Sequence, residues 1–194
     1  MKSKTLMWLA GVNAALFGGL YLFGSTTMEP LHTITTRTVL PATVEESWEV
    51  LTDFSQYPDW NPYLPRVDGV LAPGEKVSFT LASKNFPESI DMTATLGEVT
   101  DNVRFFWKGR LVIQGLFDTR HVFELQQRED GDTDLHHFEE FRGVIPALLP
   151  WTGERAENTQ MAFESMNEAL RLRLGQEHRI DEATDHPINP AAHP

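Results

Sequence analysis

The pattern of hydrophobic and polar positions changes period several times along this chain, and each period predicts its own kind of element. From Thr5 to Gly24 the only strongly polar residue is Asn13, with Lys2 and Lys4 in front. A helix of about 20 residues reaches about 30 Å, the depth of one hydrocarbon core. The stretch is longer than the apolar region of a cleaved secretory signal, and Gly24-Ser25-Thr26 is an indifferent cleavage site. Residues 1–24 therefore read as a single-pass membrane anchor, with a cleaved signal and a non-membrane helix as alternatives, and residues 25–31 as a polar linker. The two lysines have no early counterweight, since Glu29 precedes Arg37, so the positive-inside rule puts the N-terminus in the cytoplasm and the rest of the chain outside it.

From His32 to Leu40 the sequence alternates and is rich in β-branched residues, which predicts a first strand ended by Pro41. Thr43-Val44-Glu45-Glu46 is a capping-box pattern, and Val44, Trp48 and Leu51 follow at helical spacing, so a short helix starts at Val44. Between Asp53 and Pro65, Pro58 and Pro62 leave room for one or two helical turns. A strand meander follows. Val77, Phe79 and Leu81 share one phase, as do Ile90, Met92, Ala94 and Leu96. Gly97 falls where the inward phase slips from Leu96 to Val99, which suits a bulge that curves a sheet. Further strands are predicted near Val103–Gly109, Phe117–Arg128 and Thr133–Val144; with Arg66–Leu71 the expectation is seven strands in antiparallel order. Turns at Pro73-Gly74, Asn85–Pro87 and Asp101-Asn102 separate them, and Asp130-Gly131 predicts a two-residue hairpin.

After Pro146 and Pro150 the chain has no proline until well past His178. Ala162, Phe163, Met166, Ala169 and Leu170 form a stripe at helical spacing, so a long amphipathic helix is expected from about residue 151 to 178. Residues 179–194 are polar and proline-rich, and read as a disordered tail.

Composition narrows the function. With 41% hydrophobic residues in 194, the chain can bury one domain-sized core. A formal net charge of −12 opposes binding to phosphate backbones, which removes nucleic acid as a partner. The absence of cysteine excludes a disulfide, a thiol nucleophile and a thiolate metal site. No dinucleotide fingerprint, phosphate-cradling glycine loop or Ser/His/Asp order occurs, so no cofactor is expected.

The segment from Val44 through Trp48, Leu51, Asp53, Tyr57-Pro58 and Trp60-Asn61-Pro62 closely resembles the opening of the START-like (SRPBCC) superfamily, in its polyketide cyclase/dehydrase-like group. Phe105-Phe106-Trp107, His121-Val122-Phe123, the run Leu135 to Phe141 and Met166-Asn167-Glu168-Ala169-Leu170 add to the likeness, which spans residues 32–178. The resemblance implies an α+β helix-grip fold, in which a curved antiparallel sheet wraps a long C-terminal helix and leaves a cavity for an apolar small molecule or lipid. Strand parity then nominates Phe79, Leu81, Met92, Phe105, Trp107, His121, Phe123, Leu135, His137, Glu139 and Phe141 as inward, faced by Phe163 and Met166 from the helix.

His121, His137 and Glu139 carry the chemistry of this set. They either satisfy one another, backbone or water, or contact a ligand, or serve as acid and base in a polyketide-like cyclisation or dehydration. His136 and His137 are strand neighbours that point to opposite faces and cannot chelate together, and no metal site is expected. Trp60 either gates the cavity mouth or plugs the end of the sheet. Binding of a hydrophobic molecule by a membrane-tethered domain is the leading expectation, with the cyclase/dehydratase as its rival.

Overall fold

The computed structural model describes residues 29–82, 88–149 and 152–185, with side chains described as far as residue 176. Seven strands, β1 (His32–Leu40), β2 (Arg66–Asp68), β3 (Lys76–Leu81), β4 (Ile90–Thr100), β5 (Arg104–Arg110), β6 (Asp118–Gln127) and β7 (Thr133–Arg142), form one antiparallel sheet in the order β1-β7-β6-β5-β4-β3-β2. The first strand thus closes against the last, and the remainder is a meander. Helices α1 (Val44–Thr52) and α2 (Tyr57–Trp60) connect β1 to β2, with a 3₁₀ turn at Phe54–Gln56 between them. The short α3 (Val144–Leu148) follows β7, and α4 (Glu154–Asp185) crosses back over the sheet and packs on β1. This is the curved seven-stranded sheet and C-terminal helix of the helix-grip fold.

The local rules behind these elements are visible. Thr43 accepts from the Glu46 backbone N–H at 3.3 Å while Glu46 accepts from the Thr43 N–H at 2.8 Å, so the capping box fixes the start of α1. Val44, Trp48 and Leu51 are its buried face. At the bulge the pairing runs Leu96↔Trp107 and then Val99↔Phe105, so two β4 residues oppose one on β5. A Cβ on Gly97 would overlap the Phe106 ring, which the Arg120 guanidinium covers at 4.2 Å from its centroid. On α4, Ala162, Phe163, Met166, Leu170 and Leu174 are buried, and they meet Phe105, Phe123, Leu135 and Leu40 in one continuous core.

Three expectations change. The β6–β7 connection is wider than two residues: Arg128 N–H donates to the Asp132 carbonyl, and Gly131 takes φ 95°. The last strand ends at Arg142 and not at Val144, which instead opens a short helix. The α4 backbone also runs on to Asp185, because a polar helix needs no apolar stripe once its propensity is good. The apolar run at residues 5–24 lies outside the described residues, among which no helix is long and apolar enough to cross a membrane.

Candidate ligand site and its buried polar chain

Two rows of paired residues cross the inner face of the sheet. One runs Ile34, Glu139, His121, Trp107 over β1, β7, β6 and β5; the next runs Thr36, His137, Phe123, Phe105. His121 and His137 are therefore diagonal neighbours on adjacent strands, and both are buried. Their Nε2 atoms lie 2.7 Å apart. His137 Nδ1 sits 2.8 Å from Asn167 Oδ1 on α4, and Asn167 Nδ2 donates to Thr36 Oγ1 at 2.9 Å and Thr38 Oγ1 at 3.3 Å.

The proton positions follow from this connectivity. The Thr36 hydroxyl donates to the His137 carbonyl at 2.9 Å, so its oxygen must accept from Asn167 Nδ2, which fixes the amide orientation. Asn167 Oδ1 then accepts from a protonated His137 Nδ1. His137 Nε2 is left with a lone pair and accepts from His121 Nε2–H, which strips His121 Nδ1 of a proton. That lone pair faces Glu139 Oε2 at 3.8 Å. The chain runs one way only, from His121 through His137 to Asn167 and Thr36, and Glu139 stands outside it at 3.8 Å.

Burial decides the charges. Desolvation, then the neighbouring His137, pushes His121 well below the ordinary histidine range. Desolvation also lowers His137 to about 3, helped by His136 and opposed by the Asn167 hydrogen bond. Glu139 moves the other way, raised by desolvation to about 7 against the hydrogen bond from Thr119. Its side chain is 14% exposed, the most open group of the three.

An aromatic shell surrounds the chain. Phe163 stacks on His137 at 4.1 Å between centroids and Phe123 at 4.4 Å, while Trp107 stacks on His121 at 5.0 Å. Phe79 joins through Trp107 at 5.5 Å and Phe105 through Phe123 at 4.9 Å. Leu135 and Met166 are buried in the same cluster. Phe141 lies one paired row beyond Glu139, in contact with Phe117 at 6.1 Å. Leu81, Met92 and Phe117 are only partly buried against this core, as is Trp60, which packs on Tyr57 at 4.9 Å. The Trp60 indole N–H is buried without a partner. His136 faces outward, toward Thr35 at 2.9 Å and Glu124 at 3.3 Å, as strand parity requires.

Sequence reasoning missed Tyr63. Asn61 Oδ1 accepts from the Tyr63 and Leu64 backbone N–H groups at 3.0 and 2.9 Å, and this turn swings Tyr63 under the sheet. There its ring stacks on His121 at 6.4 Å and tilts against Phe163 at 5.5 Å. Desolvation, with the Glu139 charge adding to it, holds its hydroxyl well above the normal tyrosine range. The Asn61-Pro62 pair was the available signal, but a turn alone does not say which side the next ring enters. Asn167 carried a signal too, as a polar residue inside an apolar helical stripe.

A curved antiparallel sheet closed on a long C-terminal helix is the architecture of a START-like helix-grip protein. Residues 32–175 match the family described as polyketide cyclase/dehydrase and lipid transport, and the chain belongs to that family. No curated protein matches the sequence. Solved structures of similar fold include a START superfamily protein from Mycobacterium smegmatis, at 18% identity and TM-score 0.58 over 75% of this chain and 98% of that one. A hypothetical protein of Helicobacter pylori gives 12% and 0.59 over 76% and 90%. The di-domain ARO/CYC StfQ from the steffimycin biosynthetic pathway gives 12% and 0.53 over 79% and 53%. At these identities the likeness is one of fold.

Proposed function

We propose that this protein binds an apolar small molecule or lipid between the sheet and α4, and that residues 5–24 tether it to a membrane. The observation that supports this most is the one-way hydrogen-bond chain from His121 to Asn167, with the Glu139 carboxyl 3.8 Å from its open end. Burial keeps both imidazoles neutral and the chain gives each a partner, so the interior offers an apolar ligand an uncharged aromatic lining. It also leaves one carboxyl, about half protonated near neutral pH, at the more open end beside Phe141 and Phe117. Such a group donates to a ligand carbonyl or accepts from a ligand hydroxyl. The 5–24 run would hold the site beside a reservoir of apolar molecules and raise their local concentration.

A second reading is acid–base catalysis on a polyketide-like substrate, favoured by the nearly neutral pKa of Glu139. Both ring nitrogens of His137 are occupied inside the chain, so that reading rests on Glu139 and His121 alone. Native mass spectrometry of the detergent-purified chain separates the two. The binding reading expects a co-purified apolar molecule that survives in Glu139→Gln and is released by Phe163→Trp, which enlarges a ring at the centre of the aromatic cluster. No bound molecule in the wild type, with turnover of an enolisable polyketide analogue abolished by Glu139→Gln, would favour the enzyme.

A further inference from the structure

We propose that the end of the domain formed by the β5–β6 loop and α3 docks on the surface of a lipid bilayer through Leu111, Val112, Ile113, Leu148 and Leu149. All five are exposed, Val112 by 82% and Leu148 by 74%, as two runs of consecutive apolar residues and not a scatter of single ones. The segments are clamped together. Val144 N–H donates to the Gly115 carbonyl at 3.0 Å and Ile145 N–H to the Leu116 carbonyl at 2.9 Å. Gly143, at φ 108°, makes this approach possible, since a Cβ there would sit 2.8 Å from both of those carbonyl oxygens. Val112 takes φ 64°, a conformation that a β-branched residue adopts only at a cost. The loop thus keeps an apolar side chain turned outward at an energetic penalty.

The bilayer is the occupant because of where the chain enters. Leu31 N–H donates to the Phe141 carbonyl at 2.9 Å, and His32 Nε2 donates to the Pro146 carbonyl of α3 at 3.1 Å. The described chain therefore begins at this same end, at Glu29. A linker over residues 25–31 reaches at most about 25 Å when extended, so a tether at 5–24 would keep the five side chains within one domain width of the membrane. This step rests on the tether reading above. Arg110 beside the loop is paired with Asp118 at 2.9 Å, and the chain's charge is −12, so the contact is apolar and does not call for anionic lipid.

The absence of cysteine makes the test clean. An environment-sensitive fluorophore is placed at Val112→Cys, or at Glu129→Cys on the β6–β7 connection at the opposite end of the strands, in the full chain reconstituted into phosphatidylcholine vesicles. The expected result is a blue shift and loss of quenching by aqueous iodide at position 112 but not at 129, both reversed by Leu148→Glu/Leu149→Glu while the protein still floats with the vesicles. Flotation with position 112 as accessible as 129 overturns the docking and leaves the tether standing. Failure to float overturns both. Shielding of position 112 that persists in detergent and grows with protein concentration means a second copy covers the face, and overturns the bilayer as its occupant.

Discussion

Replacing Glu139 with Gln removes a charge that the folded protein holds at a disadvantage, and the size of the effect follows from burial. The carboxyl is raised from 4.5 to about 7, chiefly by desolvation. At about 1.4 kcal/mol per pH unit between those values, ionising it costs the folded state about 3 kcal/mol. Because the folded pKa is the higher one, this stability is fully present below pH 4.5, falls as pH rises toward 7 and stays lost above that. The histidines act in the opposite sense. Their folded values lie below 6.5, that of His137 at about 3, so their contribution is present above pH 6.5 and lost on acidification. Between pH 4.5 and 6.5 the folded wild type holds one proton on Glu139 that the unfolded chain lacks, and lacks those that the two unfolded imidazoles take up. Urea unfolding followed by tryptophan fluorescence should show Glu139→Gln more stable than wild type by about 3 kcal/mol at pH 8. That advantage should shrink toward zero near pH 4.5, which makes the variant the steeper of the two in its acid destabilisation. Equal stability at pH 8, or an advantage that does not narrow with acidification, would refute the assignment of Glu139 as a desolvated carboxyl.

Three further outcomes are expected. Asn167→Ala leaves the His137 Nδ1–H without its acceptor in a buried setting and should destabilise by about 2–4 kcal/mol in the same assay. In that variant the His137 tautomer, read from imidazole ¹⁵N shifts, should no longer be fixed. Gly97→Ala drives a methyl into the Phe106 ring beneath Arg120 and should cost about 1–3 kcal/mol, measured as a lowered thermal midpoint. Thr43→Ala removes the side-chain acceptor of the α1 capping box and should cost about 1 kcal/mol in thermal or urea unfolding, with little change at the buried site.

The faces of the strands were legible because a period of two fixes which side chains share a surface, so the inner positions from Phe105 to Phe141 follow from alternation once each strand is placed. Pairing was less so. A two-residue turn at Asp130-Gly131 would set Glu140 opposite His121; the wider connection sets Glu139 there, on the inner face. One residue of loop length thus decides which carboxylate meets the histidine. Tyr63 and α3 were missed for a related reason. The first is aimed by a side chain two positions earlier, and the second is a five-residue helix held by bonds to a loop nearly thirty residues upstream, so neither leaves a period of its own in the sequence.

The hydrogen-bond chain has one more consequence, for the traffic of protons. A relay that conducts must take a proton at one end and release another at the far end. Here the far end is the Asn167 amide and two threonine hydroxyls, none of which gives up a proton near neutral pH. Charge delivered to His121 would have nowhere to go. The chain is an insulator that stops at His121, and Glu139, 3.8 Å beyond it, takes up and releases its proton without passing it inward.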